Sequence, residues 1–248
     1  MSQEELAAAF DAHPTTLAPL LLGCRLTVAV AGHADLIGTE AVQASAPEPV
    51  TVRLTEVEAY GDEGEDPGAH SFRGRTERNA ALFGPTRHTY VYLNYGIHRC
   101  VNLVAHEPGR AGGVLLRGAE VLDGRPTAVC RRGRDTGRRL LSGPGNLGQG
   151  LGITLSMGHL PVVLAEPGED VQDALVRARG KLWAGSAAPA VFVLAPPAAP
   201  QEPEQARVRT GPRVGVSGEG GSTRYPWRFW LDAEPSVTRY RPGRNVPA

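Results

Sequence analysis

The sequence predicts a single α+β domain with an antiparallel sheet, and three observations lead there. The chain has 248 residues and 41% hydrophobic content, enough for one substantial core. Its strand-like stretches alternate apolar and polar residues, the mark of a sheet with two unlike faces. Those stretches do not alternate regularly with helices, so a parallel doubly wound sheet is not expected.

Taken in order, Ser2-Gln3-Glu4-Glu5 has the form of a capping box and opens a helix to Asp11. Pro14-Thr15 starts a second helix through Leu22, with Gly23 as its stop. Arg25–Val30 reads as a strand, followed by turn signals at Ala31-Gly32-His33 and a Ser45–Pro49 loop. Val50–Tyr60 is the next strand, and simple alternation puts Val52, Leu54, Glu56, Glu58 and Tyr60 on one face. After the acidic loop Gly61–Gly68, Thr76–Phe83 reads as a short helix capped by Thr76 and ended by Gly84-Pro85. Thr89–Asn94 alternates with Tyr90, Tyr92 and Asn94 together, and Tyr95-Gly96 is a turn into a strand at Cys100–Ala105. Gly113–Arg117 is a strand ending on a charge, and Ser142-Gly143-Pro144-Gly145 starts a helix to Leu151. Val171–Trp183 has helical form, and Arg213–Val216 and Trp227–Leu231 are expected as late strands.

Composition excludes several classes. No apolar run approaches 18 residues, so no membrane span is expected. The N-terminus is acidic and amphipathic, unlike a signal peptide. Cys24, Cys100 and Cys130 are odd in number and far apart, which points to reduced thiols and a cytoplasmic protein. Net charge is zero, but Arg110–Arg139 carries eight arginines against three carboxylates. That stretch is either a solvated loop or a phosphate-facing patch. Lys181 is the only lysine, so Schiff-base chemistry has one side-chain candidate, with no supporting signature around it.

The chemistry concentrates in residues 53–102, which hold four of the six tyrosines. Glu56 and Glu58 stand two apart on a strand, a spacing at which two carboxylates can flank a glycosidic bond. Rim carboxylates tied to Arg53 or Arg73 would give the same pattern. Tyr90, Tyr92 and Tyr95 offer flat rings for stacking a base, and Tyr95 before Gly96 suits a wedge into a base stack. Strand tyrosines packing a sheet face are the plain alternative. His70 follows an acidic loop, but no HxH or HExxH spacing supports a metal site, and no metal or cofactor is expected. Arg73, Arg75 and Arg78 are placed to meet backbone phosphates. Gly143-x-Gly145 lacks the context of a nucleotide cradle.

Assembled, these blocks resemble the 3-methyladenine DNA glycosylase family of the alkyladenine type. They are TEVEAY at 55–60, AHS at 69–71, GRTERN at 74–79, YVYLNYG at 90–96, CVN at 100–102, VLLR at 114–117, LSGP at 141–144, GPRVGV at 211–216 and WRFW at 227–230. The resemblance implies that the sheet is curved and that the chain is one glycosylase domain over 1–248. Residues 168–190 then read as an insertion and 195–203 as a Pro/Ala-rich loop. It implies a monofunctional, metal-free enzyme that flips an alkylated purine out of duplex DNA and hydrolyses its N-glycosidic bond, in base excision repair. By motif match Glu58 is the general base that activates water, and Arg117 holds Glu58 and that water. Tyr60, His70 and Tyr92 hold the flipped base, Asn102 disfavours guanine, and Tyr95 fills the gap in the duplex. Arg213 joins Arg73, Arg75 and Arg78 as a backbone contact. The implied partner is duplex DNA carrying a damaged purine, met by a monomer associated with the nucleoid. Two other classes remain open: a non-catalytic damage-binding protein, and a nucleoside hydrolase using Glu56 with Glu58.

Overall fold

A computed structural model describes residues 2–30, 49–183, 189–197 and 207–247, without the side chains of 181–183. The Ala31–His33 turn, most of the Ser45–Pro49 loop and residues 198–203 therefore lie outside the described residues. The fold is α+β, with five helices among the described residues and a sheet that curls into a half-barrel.

Two helices open the chain, α1 (Gln3–Ala9) and α2 (Pro14–Leu21). Ser2 and Glu5 form the expected capping box, each side chain bonded to the other's backbone N–H. Strands β1 (Arg25–Val30) and β2 (Val50–Tyr60) follow, then β3 (Thr89–Asn94), β4 (His98–Val104) and β5 (Gly113–Asp123). The second half brings α3 (Arg125–Arg132), β6 (Leu141–Ser142), α4 (Pro144–Leu151), β7 (Val162–Leu164), α5 (Val171–Trp183) and β8 (Ala190–Ala195). Short strands β9 (Val208–Gly211) and β10 (Arg228–Leu231) complete it. The main path is β3-β4-β5-β2-β1-β8-β7, antiparallel throughout except for the parallel pair β7–β8.

Strand β2 is the centre of the sheet. One edge pairs with β5 along its length. The other edge is shared: β1 takes residues 50–53 and β10 takes residues 56–58. Near that hand-over the pairing with β5 slips, between Leu54 and Glu56 and again between Glu56 and Val57. A bulge breaks the period of two. Val50, Val52 and Leu54 belong to the main apolar cluster, which resumes at Val57 and Ala59 instead of Glu56 and Glu58. This corrects the single-face reading of β2: Glu56 and Glu58 leave the face that Val52 and Leu54 occupy.

The main core holds α2 residues Leu17 and Leu21 with β2, Phe192 and Leu194 of β8, and Leu147 and Leu151 of α4. A second cluster sets Ala174, Leu175 and Ala178 of α5 against Val191 and Val193 of β8. Strand β8 is thus covered on both faces, which is why AVFVLA is apolar at every position.

Three other expectations change. Residues 76–79 form a turn bracketed by Thr76 and Asn79, and only Ala80–Phe83 is helical, as a 3-10 turn. Arg213–Val216 is a turn, and the strand lies just before it, as β9. Strand β5 runs six residues past Arg117, which therefore sits inside a strand and is buried.

Candidate active site

The C-terminal end of β2, the β3–β4 hairpin, the middle of β5 and the loop after β9 enclose a cavity of about 480 Å³. Tyr60, His70, Tyr90, Tyr92, Asn102, Arg117 and Val214 are among its walls. Tyr90 and Tyr92 stack with ring centroids 5.7 Å apart, and His70 meets Tyr92 edge-on at 4.6 Å. Such pairs fix ring orientation. His70 Nδ1 bonds the Tyr90 hydroxyl at 2.9 Å. Asn102 is buried and donates from Nδ2 to the Tyr90 carbonyl at 3.2 Å, which sets its amide at the cavity wall.

Glu58 lies one hydrogen bond behind this surface. It has 0% exposure, and its three donors are themselves cavity walls. Tyr60 Oη donates to Oε2 at 2.8 Å, Arg117 Nη1 donates to Oε2 at 3.1 Å, and the Val214 N–H donates to Oε1 at 2.6 Å. Oε1 accepts only that one bond among the described residues, so it keeps a lone pair for a water.

Glu56 is different. Arg117 Nε, Arg228 Nε and Thr238 Oγ1 donate to its Oε1 at 3.0, 2.8 and 2.7 Å, and the Thr238 N–H donates to Oε2 at 2.6 Å. Three of these donors crowd Oε1, one meets Oε2, and two of the four are guanidinium groups. Glu56 also has 0% exposure and does not line the cavity. Neither carboxylate lines the cavity itself, but all three donors to Glu58 do, whereas of the groups that hold Glu56 only Arg117 does.

Arg213 does not reach solvent. It is fully buried, forks onto Asp66 at 2.5 and 2.6 Å, and donates to the carbonyls of Ala59 and Gly220. Its guanidinium lies 4.5 Å from the centre of the Tyr60 ring. The expected phosphate contact is therefore withdrawn: a buried arginine paired with a buried aspartate stiffens Tyr60 and the start of the Val214 turn. Arg73, Arg75 and Arg78 are exposed, as a phosphate contact requires.

Electrostatics follow from burial. The Tyr60 phenol is held well above its ordinary range by burial and by the Glu58 charge, so it stays protonated as a donor. Burial pushes Tyr90 up to about 12 and Tyr92 higher still. Burial lowers Arg117, but the Glu58 and Glu56 charges more than offset it, and it stays cationic. His70 is shifted down by desolvation and by the Arg78 charge, so its ring is neutral near pH 7. Among the described residues no three His, Cys, Asp or Glu side chains come together as metal ligands.

The hairpin tip carries Tyr95 and Gly96, both at positive φ (49° and 73°), with the Ile97 N–H donating to the Asn94 carbonyl at 3.1 Å. Two positive φ values mark a type I′ turn, which matches strand twist. Tyr95 is 84% exposed and also lines the cavity mouth. A tyrosine held in the left-handed region and left in water is costly twice over, and such strain collects at functional sites.

The Arg-rich stretch is a helix and its flanks. Arg117 is in the site, Arg125 pairs with Asp135, and Arg138 lies 3.7 Å from Glu120 and from Glu234. Only part of it is free to meet a phosphate. Sequence reasoning did not find Asp66, Val214, Arg228 or Thr238. The one available signal was an arginine set among Pro212, Val214 and Gly215, a poor setting for a solvated cation.

A methylpurine-DNA glycosylase family profile matches residues 27–235. Curated relatives include proteins provisionally named 3-methyladenine DNA glycosylase from three organisms. The one from Leifsonia xyli is 42% identical over 83% of this chain and 85% of its own. That from Streptomyces avermitilis is 40% identical over 84% of each chain, and that from Nocardia farcinica 44% over 80% of this chain and 82% of its own. No described helix is long and apolar enough to cross a membrane.

Proposed function

The chain belongs to the methylpurine-DNA glycosylase family and is a DNA glycosylase, and from that premise we propose that it acts as a monomer on duplex DNA in the cytoplasm and removes alkylated purines. The substrates proposed are 3-methyladenine and 7-methylguanine, flipped into the 480 Å³ cavity. The observation that carries this reading is Glu58, held by three donors that are all cavity walls.

Glu58 is the general base. Water on the free Oε1 lone pair loses its proton to the carboxylate as it attacks C1′, and the glycosidic bond breaks with the purine as leaving group. The buried negative charge also stabilises the cationic sugar of the transition state. Arg117 ties Glu58 to Glu56 and so fixes the carboxylate. Tyr60, Tyr92 and His70 hold the extruded ring, with stacking of about 1–3 kcal/mol per base. Electron-poor alkylated purines stack well on tyrosine faces and leave easily. Extrusion costs a few kcal/mol, least for a damaged base. Tyr95 fills the vacated space, and Asn102 crowds the amino group of guanine.

The test is release of base from methylated duplex DNA by wild type beside Glu58→Gln, with EDTA present. Release of 3-methyladenine by wild type alone supports the reaction, the base and metal independence together. Binding of damaged duplex without release by wild type would replace this reading with a non-catalytic damage-binding protein.

A further inference from the structure

We propose that the C-terminal segment Ser236–Pro247 forms part of the DNA-binding surface, with Arg239, Arg241 and Arg244 contacting backbone phosphates beside the cavity mouth. The inference rests on the reading of the cavity as the site of base release from DNA. The segment lies beyond residues 27–235, the span matched by the family profile.

The first argument is position. Thr238 anchors the segment in the core, through two bonds to Glu56 and one accepted from Arg117 Nη2 at 3.3 Å. The chain then runs outward along residues 215–218. The Gly215 N–H donates to the Arg241 carbonyl at 2.8 Å, the Arg244 N–H to Ser217 Oγ at 3.1 Å, and the Gly218 N–H to the Arg244 carbonyl at 2.9 Å. A Cβ built on Gly243 would lie 2.1 Å from the Val216 carbonyl oxygen, so the two stretches touch backbone to backbone. Gly215, Val216 and Ser217 are cavity walls. Arg241 and Arg244 thus sit one hydrogen bond from the rim through which a nucleotide would enter.

The second argument is charge. Many exposed or half-buried arginines here are spent on carboxylates: Arg53 on Glu120, Arg125 on Asp135, Arg177 on Glu169, Arg207 on Glu234, Arg209 on Asp232. Arg239, Arg241 and Arg244 are exposed and have no carboxylate partner among the described residues. From Pro235 to Pro247 there is no Asp or Glu at all. A chain of net charge zero gains polyanion affinity only where its cations are left unneutralised. The tail supplies a bank of such cations in addition to Arg73, Arg75 and Arg78.

The experiment measures the salt dependence of binding to a duplex carrying an abasic-site analogue, for wild type, for the triple variant Arg239→Gln/Arg241→Gln/Arg244→Gln, and for the matching triple lysine variant. Each phosphate contact contributes about 0.9 to the slope of log K against log[salt]. The glutamine variant should lose about 2.7 from that slope, about 0.9 for each of three contacts, and the lysine variant should keep it. Arg177→Gln, which removes an arginine already paired with Glu169, should not change it. The side chains of Arg239, Arg241 and Arg244 are exposed, so the triple variants do not put the fold at risk. An unchanged slope in the glutamine variant, with wild type still releasing methylated purines, overturns this inference and leaves the reaction standing. A wild type that neither binds the duplex nor releases base overturns both.

Discussion

Glu56 and Glu58 stand two residues apart on one strand, both with no solvent exposure, and the fold uses them in opposite ways. Glu56 is enclosed by two guanidinium groups and both donors of Thr238. Glu58 shares one guanidinium, a phenol and one backbone N–H, each of them at a cavity wall. Reactivity in a buried carboxylate thus depends on what surrounds its partners. Clamped between two guanidinium groups and Thr238, Glu56 serves as a structural anion. Held by three donors that all line a cavity, Glu58 is the carboxylate proposed as the base.

The largest effect should separate the two in catalysis. Glu58→Gln removes the proposed base and should lower single-turnover base release by roughly 10²–10⁴-fold, while duplex binding persists. A loss below tenfold would mean that another group activates the water. Next comes stability. Glu56→Gln leaves Arg117 and Arg228 under-compensated in the interior and should cost about 3–5 kcal/mol in denaturant unfolding. Glu58→Gln should cost no more than about 2 kcal/mol, having fewer charged partners. Equal costs would erase the distinction between the two carboxylates.

A smaller effect is expected at Tyr60. Tyr60→Phe keeps the ring above Arg213 but removes one donor from Glu58. Its release rate should fall by about tenfold, in line with one hydrogen bond to a charged group. A loss as great as that of Glu58→Gln would give the phenol a direct part in the chemistry.

The smallest effect concerns pH. His70 has a folded pKa below its ordinary 6.5, through desolvation and the Arg78 charge. Below about pH 6.5 the unfolded chain takes up a proton that the folded ring resists, so stability falls as pH drops through that window. Arg78→Gln should raise the His70 titration midpoint and shrink the loss of unfolding free energy between pH 7.5 and 5. An NMR titration of the His70 ring reads the same shift directly, and no change in the variant would remove Arg78 as a cause.

Much of the site was legible because its residues are local. Tyr60, Tyr90, Tyr92 and Tyr95 declare themselves by alternation and by a turn before glycine, and α1 by a capping box. What failed to show was long-range. Arg213 meets Asp66 across 147 residues and Thr238 meets Glu56 across 182, and no local pattern encodes such a pair. Strand β8 hid because both faces are buried, which removes the alternation that marks a strand. The change of face in β2 hid because a bulge is a property of two strands, and only one of them is in view when 50–60 is read alone.

That bulge has a consequence for how this chain tolerates changes in length. The surface loop at 61–68 can gain or lose a residue at a cost of loop entropy that grows only slowly with length. Within residues 54–57 the same event changes the pairing of β2 with β5. Deleting Thr55 would return β2 to strict alternation, with Leu54, Val57 and Ala59 on one face and Glu56 and Glu58 on the other, but would slip residues 56–60 by one position against β5. One omitted residue would leave core and cavity their contents and still draw Glu58 one strand step, roughly 3.3 Å, off its hydrogen-bond partners.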